Sequence, residues 1–594
     1  MESFDVDNVL STSGAGGSGS VQTRYLETTK YQWQFFKDKP KISILVPVYK
    51  VETRYLEEAL ASVALQTYPN WEVCIVDDAS GRPEIDSVIK KFSNRFPDRV
   101  KYSVNPINMH ISHTSNECLN KATGEWCALL DHDDRLYPNA LFEMVRFINL
   151  EPDADVFFSD EVVIREDGAI LGKPFFKPGW SPLLNLQVNY CAHLCVYRTS
   201  HIKGIGGFRV GYEGSQDHDL IMRAADASQR DPVHVPYCLY QWRVHPQSTA
   251  SSIAAKPYAA ENGLKAVIET CGRRNLPPVR GSYNSKTFHY DLSFAILGDP
   301  KVSIVIPTRN QLGLLRQCVE SILSKSSWKN FEIIIVDNGS TDTDCLDWLK
   351  SVTSLGKVSV LRDDRDFNFA ALNNLGVRCA KGDFVVLLNN DTEVLTSDWM
   401  EQMLQYAQMI GVGCVGARLL YEDGTIQHAG GILTGEKMAN HACKKLPESD
   451  RRYMDAIVTP RECSFVTGAC LMIAKSKYLD AGGLEESFVP NGYGDVELCL
   501  RLSATQGLKH VYAANAVLKH FESKSRGKSV ETFERYYMLS RWSNKLNLDP
   551  YLNMNLERDE FFENDRHWVT SMPRDRHFFE MVSHEVKQIF MSES

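Results

Sequence analysis

The chain contains itself twice, and a repeat of this length limits the fold more than any single motif does. "KISILVPVYK" from Lys41 is answered by "KVSIVIPTRN" from Lys301, and "WEVCIVDDAS" by "FEIIIVDNGS". Pro47 lies 30 residues before Asp77, and Pro307 lies 30 before Asp337. Asn116 stands 15 residues before Asp131 in one copy, and Asn374 stands 15 before Asn389 in the other. A third pair, "QDHDLIMR" and "GDVELCLR", follows the glycine pairs Gly206, Gly207 and Gly482, Gly483 and opens a helix in each copy. A fourth element is a histidine after a strand-like run: His245, 28 residues past Asp217, and His520, 25 past Asp495. Intervals kept this closely predict two copies of one fold.

Each copy alternates short β-branched runs with amphipathic stretches of helix length, which predicts βαβ units around a mostly parallel sheet. The fold class expected is therefore α/β, two Rossmann-like domains in tandem. A length of 594 residues agrees, since one core rarely serves more than about 250 to 300 residues. The expected divisions are a flexible lead-in at 1–38, a first domain at 39–260, a linker at 261–300, a second domain at 301–535 and a C-terminal helical extension at 536–594. The tract "STSGAGGSGS" at 11–20 buries nothing, and order is expected from near Tyr31. At the other end, Phe578, Phe579, Val582, Val586, Ile589 and Phe590 share one helical face. Packing on the domains is the expectation for that face; docking on a membrane surface or a partner is the alternative.

Composition narrows the class. A net charge of -10 gives no general attraction to nucleic acid or to anionic membrane, so any phosphate must be bound locally. The 15 cysteines are scattered through apolar segments without a CxxC pair, as expected for small core residues in a reducing compartment. With no apolar run of the ~18 residues a membrane helix needs and no signal-like N-terminus, a cytoplasmic protein is expected.

In parallel α/β sheets ligands bind beyond the carboxyl ends of the strands, and the polar residues above fall there. The sharpest case is "ALLDHDDRL", where Asp131, Asp133 and Asp134 crowd the end of an apolar run. Clustered carboxylates become stable around a hard divalent cation, so Asp131 and Asp133 are expected to hold Mg2+ or Mn2+, with His245 completing the shell. In the second copy Asn389 replaces the first aspartate, leaving Asp391 and His520 to hold the ion with less charge. The bland reading is that Asp and Asn end strands and begin turns; it covers any one strand end, but not their recurrence at matched intervals. For Asp217 and Asp495 alone, ordinary acidic residues in a first helical turn would suffice.

Taken together, "ISILVPVYK", "VDDAS", "LLDHDD", "QDHDL" and "WRVH" resemble the inverting GT-A glycosyltransferases of family 2. The second copy is similar to the rhamnosyltransferase-like branch of that family through "NNDTEV", "TGACLMI", "GYGDVELCLR" and "HFESKSRG". The resemblance covers about residues 40 to 250 and 300 to 550. It implies two GT-A domains, nucleotide-diphosphate sugar donors, and metal-assisted loss of the nucleoside diphosphate with inversion at the sugar. It implies Asp217 and Asp495 as the catalytic bases. It implies a nucleotide site at Pro47, Tyr49, Asp77 and Asp78, and in the second copy at Pro307, Arg309, Asp337, Asn338 and Asn389. The acceptor implied is an oligosaccharide or lipid-linked glycan of the O-antigen or capsule kind, extended at the inner face of the cytoplasmic membrane, with peripheral attachment left open. By analogy the second copy is expected to use dTDP-L-rhamnose.

Two other readings compete: one working site with the other copy as a binding module, and a nucleotidyltransferase making activated sugars. The second lacks the Gly-rich, basic triphosphate loop such an enzyme needs.

Overall fold

The computed structural model describes residues 18–245, 257–435, 437–521, 532–556 and 575–591. Its described residues fall into two compact units. The first takes those within Met1–Lys177, Cys191–Gly263 and Asp565–Ser594; the second takes Pro178–Tyr190 and those within Leu264–Asn564. The motif residues from Pro246 to Thr249 and from Glu522 to Gly527, residues 11–17 of the Gly/Ser tract, and the Phe579 side chain lie outside the description.

In the first unit the strands are β1 (Ile42–Val48), β2 (Trp71–Asp77), β3 (Val100–Val104), β4 (Trp126–Leu129), β5 (Arg135–Leu136), β6 (Val156–Ile164), β7 (Cys195–Arg198) and β8 (Val233–Arg243). They form one sheet in the order β3-β2-β1-β4-β7-β6-β8-β5. The pairs β1 with β2, β1 with β4, β2 with β3 and β6 with β8 are parallel, and β7 runs antiparallel between β4 and β6. All seven residues of β1 are buried, because helices cover both faces of a parallel core and leave no polar side to alternate with. Helix Thr53–Ala64 shows the complementary pattern, burying Tyr55, Leu56, Ala59, Leu60 and Val63 along one face.

In the second unit β9 (Val279–Asn284) and β10 (His289–Phe294) make a hairpin. The main sheet contains β11 (Val302–Thr308), β12 (Phe331–Asp337), β13 (Val358–Arg362), β14 (Phe384–Leu388), β15 (Thr392–Val394) and β16 (Val412–Leu420). After β17 (Ile426–His428), β18 (Gly431–Gly435), β19 (Met438–His441) and β20 (Arg461–Cys463) come β21 (Cys470–Ala474) and β22 (Lys509–His520). The order β13-β12-β11-β14-β21-β16-β22-β15 repeats that of the first sheet strand for strand. The second copy adds β17 to β20 between the strands equivalent to β6 and β7. The fold class read from the sequence, two Rossmann-like mostly parallel sheets, is the one observed.

Three of the repeated residue sets prove to be the joints of this fold. Ser43 Oγ donates to Glu72 Oε1 at 2.6 Å and accepts from Gly124 N at 2.8 Å; Ser303, Glu332 and Gly382 repeat both bonds at the same lengths. The paired asparagines clasp the chain after each glycine pair. Asn116 Nδ2 donates to Phe208 O and its Oδ1 accepts from Phe208 N, while Asn374 makes the same two bonds with Leu484. The arginine of the following helix holds the same turn from the other side: Arg223 donates to Gly207 O at 2.6 Å and pairs with buried Asp219, and Arg501 donates to Gly483 O at 2.7 Å and pairs with Glu497.

The ends of the chain contain more structure than the sequence suggested. Helix Ser18–Gln32 lies within the expected flexible lead-in, where it buries Leu26 and Thr29 and sends the Tyr25 hydroxyl to Glu143. Residues 261–300, read as a linker, contain most of helix Pro257–Arg273 and the β9–β10 hairpin. Helix Thr532–Leu546 falls where the sequence reading placed one. In the first unit, helix Asp575–Val586 and the turn Lys587–Met591 bury Phe578, Val582, Val586, Ile589 and Phe590, with Phe578 against Tyr137 and Phe590 over Phe92.

The asparagine clasp requires glycine. Gly207 and Gly483 have φ of +64° and +75°, and a Cβ on either would lie 2.4 Å from the Asn116 or Asn374 Oδ1. Gly207→Ala and Gly483→Ala are each expected to lower the unfolding free energy by at least about 1 to 3 kcal/mol through backbone strain alone, measured by urea denaturation. Gly204→Ala, which meets no neighbour, is the control.

Candidate active site

The two sites begin where β1 and β11 part from a neighbour. β1 pairs with β2 along its whole length but with β4 only from Ile42 to Leu45, and β11 likewise leaves β14 after Val305. Pro47 and Pro307 stand two residues past those points, where a residue lacking an N–H breaks no ladder. The crevice so opened is the switch point at which the strand order reverses. Side chains from the motif after the fourth strand bridge it: His132 Nδ1 meets Pro47 O at 2.9 Å, and Asn390 Nδ2 donates to Thr308 Oγ1 at 2.9 Å.

On one side of the crevice lie the residues expected to bind nucleotide. Asp77 and Asp337 are buried and fasten their turns by accepting from Ser80 N and Ser340 N. Asp78 Oδ1 accepts from Asn105 Nδ2 and Met109 N, both at 2.8 Å. Asn338 reverses that polarity: its Nδ2 donates to Asp363 O and Arg365 O, at 3.0 and 2.8 Å, while its buried Oδ1 has no hydrogen-bond partner. Tyr49 and Arg309 hold equivalent exposed places at the rim.

On the other side the three aspartates after β4 are managed in three different ways. Asp134 is fully buried and accepts from Tyr240 Oη at 2.7 Å and from Arg243 N at 2.6 Å. Burial first, and then the charges of Asp133 and Asp131, hold its carboxyl well above the usual range. Asp133 meets His245 Nε2 at 2.8 Å; burial pushes its carboxyl up, but the histidine bond and charge outweigh this and bring it down to about 2. Asp131 is half exposed, with its Oδ2 3.7 Å from His193 Nε2. The sequence reading grouped Asp131, Asp133 and His245 as one ligand set. The structure instead gives an Asp133–His245 pair beside a second cluster, in which donor atoms of Asp131, Asp134 and His193 lie within 4.8 Å of one another.

In the second unit Asn389 takes the place of Asp131, and Asp391 that of Asp133. His520 Nε2 lies 3.1 Å from Asp391 Oδ1 and 3.2 Å from Asn389 Nδ2, while its Nδ1 lies 2.6 Å from Gln427 Oε1. An amide oxygen only accepts, so Nδ1 carries a proton and Nε2 is the nitrogen turned toward Asp391. Two electron-rich atoms 3.1 Å apart need a proton or a metal ion between them, and that donor pair fits a divalent cation. The two histidines are not equivalent by strand position. His520 lies opposite Thr392 as Trp242 lies beside Asp134, so His245 reaches its aspartate from three residues farther along.

The expected bases sit at helix N-termini, against the start of the strand paired with the fourth. Asp495 Oδ2 accepts from Gly468 N at 2.7 Å and its Oδ1 from Val496 N at 2.9 Å. Asp217, half-buried in the first turn of helix Gln216–Ala227, is close enough to Cys195 and Tyr197 for its charge to help raise both groups, whose main cause is burial. His193 stands two residues before Cys195. The crevice therefore gathers Asp131, Asp133, His245 and Asp217 in the first unit, and Asp391, His520 and Asp495 in the second. Sequence reasoning missed His193, Asp134, Gln427 and Tyr240. His193 carried no signal in the sequence: only the strand register of the fold sets it where the second copy has Ala469.

The family model described as Glycosyl transferase family 2 matches residues 43–205 and again 303–479. The chain belongs to glycosyl transferase family 2. Each copy of the repeat is thus matched separately, and together the matches cover more than half of the chain. Among curated relatives, the Uncharacterized protein y4gI of Sinorhizobium fredii (strain NBRC 101917 / NGR234) is 40% identical over 546 residues, covering 90% of this chain and 59% of its own. The O-antigen biosynthesis protein RfbC of Myxococcus xanthus is 33% identical over 529 residues, covering 87% of this chain and 40% of its own. The family 2 chain described here thus spans about three-fifths and two-fifths of the length of these relatives. Among solved structures, the crystal structure of GalNAc-T7 with UDP, GalNAc and Mn2+ aligns with a TM-score of 0.37 at 17% identity, over 44% of this chain and 51% of that one.

The added strands β17 to β19 bring two more histidines behind the second site. His428 and His441 face each other through Nδ1 at 2.7 Å, the first buried and the second half-buried. Burial pushes His428 well below its ordinary value and His441 down to about 3. A histidine lowered in the folded state contributes stability that is present above its unfolded value of ~6.5 and is lost as the pH falls. Each pH unit below 6.5 is expected to cost about 1.4 kcal/mol per such histidine. Urea midpoints should therefore fall between pH 7 and pH 5, and less steeply in His441→Leu than in the parent.

Proposed function

We propose that the chain is a bifunctional, metal-dependent inverting glycosyltransferase. Each half would transfer a sugar from a nucleotide-diphosphate donor to a growing surface glycan. The observation that carries the reading is the recurrence, in both sheets, of an aspartate paired with a histidine at the switch-point crevice and a second aspartate fixed at a helix N-terminus. Family membership supports the class of reaction, and the relative's description as an O-antigen biosynthesis protein supports a surface glycan as acceptor.

In this reading Asp217 and Asp495 take the proton of the acceptor hydroxyl. An aspartate with a reference pKa of ~3.9 does not strip a sugar hydroxyl outright, so the proton moves late, as the bond to an oxocarbenium-like carbon forms. One carboxylate suffices for inversion, since the leaving group departs from the opposite face. The base of each half sits at a helix N-terminus, where the dipole favours a carboxylate, and in the second half the Gly468 and Val496 N–H groups fix its direction. Asp133 with His245, and Asp391 with His520, would hold a divalent ion, which when bound offsets charge on the departing diphosphate. Asn338 Oδ1 is a free buried acceptor of the kind a ring N–H of a pyrimidine base would satisfy. The likeness of the second half to rhamnosyltransferases makes dTDP-L-rhamnose the first donor to test there.

The competing reading keeps one working half and makes the other a binding module. It draws on the second half, where Asn338 and Asn389 replace acidic residues. Asp217→Ala and Asp495→Ala, assayed separately with a panel of sugar nucleotides and a synthetic glycan acceptor, separate the two. Each substitution is expected to lower formation of one linkage by about 10²- to 10⁴-fold and spare the other. If one of them leaves every linkage intact, that half is not a transferase.

A further inference from the structure

His193 is a half-buried imidazole whose strand position holds Ala469 in the second half, and its surroundings are built around it. The ring stacks on Tyr240 at 4.7 Å between centroids and an interplanar angle of 17°, and Trp242 leans on it at 5.6 Å. Its buried Nδ1 lies 3.4 Å from Glu161 Oε2, close by but without a formed hydrogen bond, and that carboxylate also takes Lys177 Nζ at 3.0 Å. Lys177 in turn donates to the backbone oxygens of Cys191 and His193, so the segment carrying the ring is tied to the same buried pair. This fixes which nitrogen looks outward: Nε2, toward Asp131.

The same relay exists in the second half with different residues. There Gln427 Oε1 holds Nδ1 of His520, and Nε2 faces Asp391. In the first half Glu161 stands behind Nδ1 of His193, and Nε2 faces Asp131. An oxygen acceptor behind one ring nitrogen and a carboxylate in front of the other is the arrangement in which a histidine ligates a metal, with the rear acceptor setting tautomer and orientation. Strand register accounts for the change of residue. Trp242 occupies the strand position of His520, and packs against an imidazole that enters instead from the position of Ala469.

We propose that His193 is a metal ligand of the first half, binding through Nε2 beside Asp131 with Glu161 as its positioning residue. The inference rests on the metal-dependent reading above and adds a ligand to it. The present separation of 3.7 Å between Nε2 and Asp131 Oδ2 suits it. Two donors each ~2.1 Å from one ion lie ~3 Å apart at a right angle and ~4.2 Å apart across it. The first half would then offer Asp131 with His193 beside the Asp133–His245 pair, and the second half Asp391 with His520 alone.

The test uses the full chain, freed of metal and titrated with manganese alone. Free Mn2+ is counted by its EPR signal, and nitrogen coupling to the bound ion is read by pulsed EPR. Asp391→Ala/His520→Ala serves as the background that silences the second half. In that background His193→Ala is expected to weaken manganese binding by about 10- to 100-fold. His245→Ala should retain a nitrogen coupling, which disappears when His193→Ala is added. His193→Phe preserves the ring stack while removing both nitrogens, and should match the alanine variant in binding; it carries the test if the alanine variant does not fold. Unchanged or tighter manganese binding in the His193 variants, or an unchanged coupling in the double variant, overturns the proposal. A parent chain that binds no manganese overturns the metal-dependent reading itself.

Discussion

The structure depends on an incomplete pairing. β1 is held by β2 for seven residues but by β4 for only four, and β11 repeats this between β12 and β14. Everything chemical in each half is arranged around the gap that follows. Had the pairing run on, the third strand end would have been sealed by backbone hydrogen bonds, and the turn residues would have pointed to solvent. A proline just past the last paired residue makes the opening permanent, because it has no N–H with which to close it.

Charge at the gap is handled by graded burial. The deepest aspartate, Asp134, has its carboxyl held well above the usual range by burial and serves as an acceptor for Tyr240 and Arg243. The middle one is matched to a histidine, and the outermost faces solvent. The second half reaches a similar balance with fewer charges, replacing Asp131 by Asn389 and Asp134 by Thr392. That economy lowers the crowding of carboxylates in the second half. It also leaves the outer aspartates available to a ligand.

Much of this was legible in the residues. Matched spacing revealed two copies before any element was assigned, and β-branched runs alternating with amphipathic stretches gave the sheet class. The recurring Asn, Gly-Gly and Arg were visible as repeats, but their role as a clasp was not. It depends on a side chain and a turn some ninety to one hundred and ten residues apart, which only the fold brings together. Asp217 and Asp495 were readable because helix N-termini have a local signature. His193 was not, because its importance comes from Glu161, Tyr240 and Lys177, which meet it only across strands. His245 and His520, grouped in the sequence, each meet an aspartate after the fourth strand of their sheet, yet the two arrive from different strand positions. Ordered structure at the N-terminal end was underestimated, since a polar helix such as Ser18–Gln32 shows little periodicity until its few buried residues find a surface.

The membership of Pro178–Tyr190 has a further consequence. This stretch leaves the first unit between β6 and β7 and packs in the second, where Leu183 N donates to Glu462 Oε1 at 2.8 Å and Gly179 abuts the Pro550 backbone. The C-terminal helix, in turn, is counted with the first unit. The two units are therefore threaded through one another along the polypeptide, and no single cut in the gene separates them whole. Any fragment containing one complete sheet lacks a piece of its own packing or exposes a strip meant for the other.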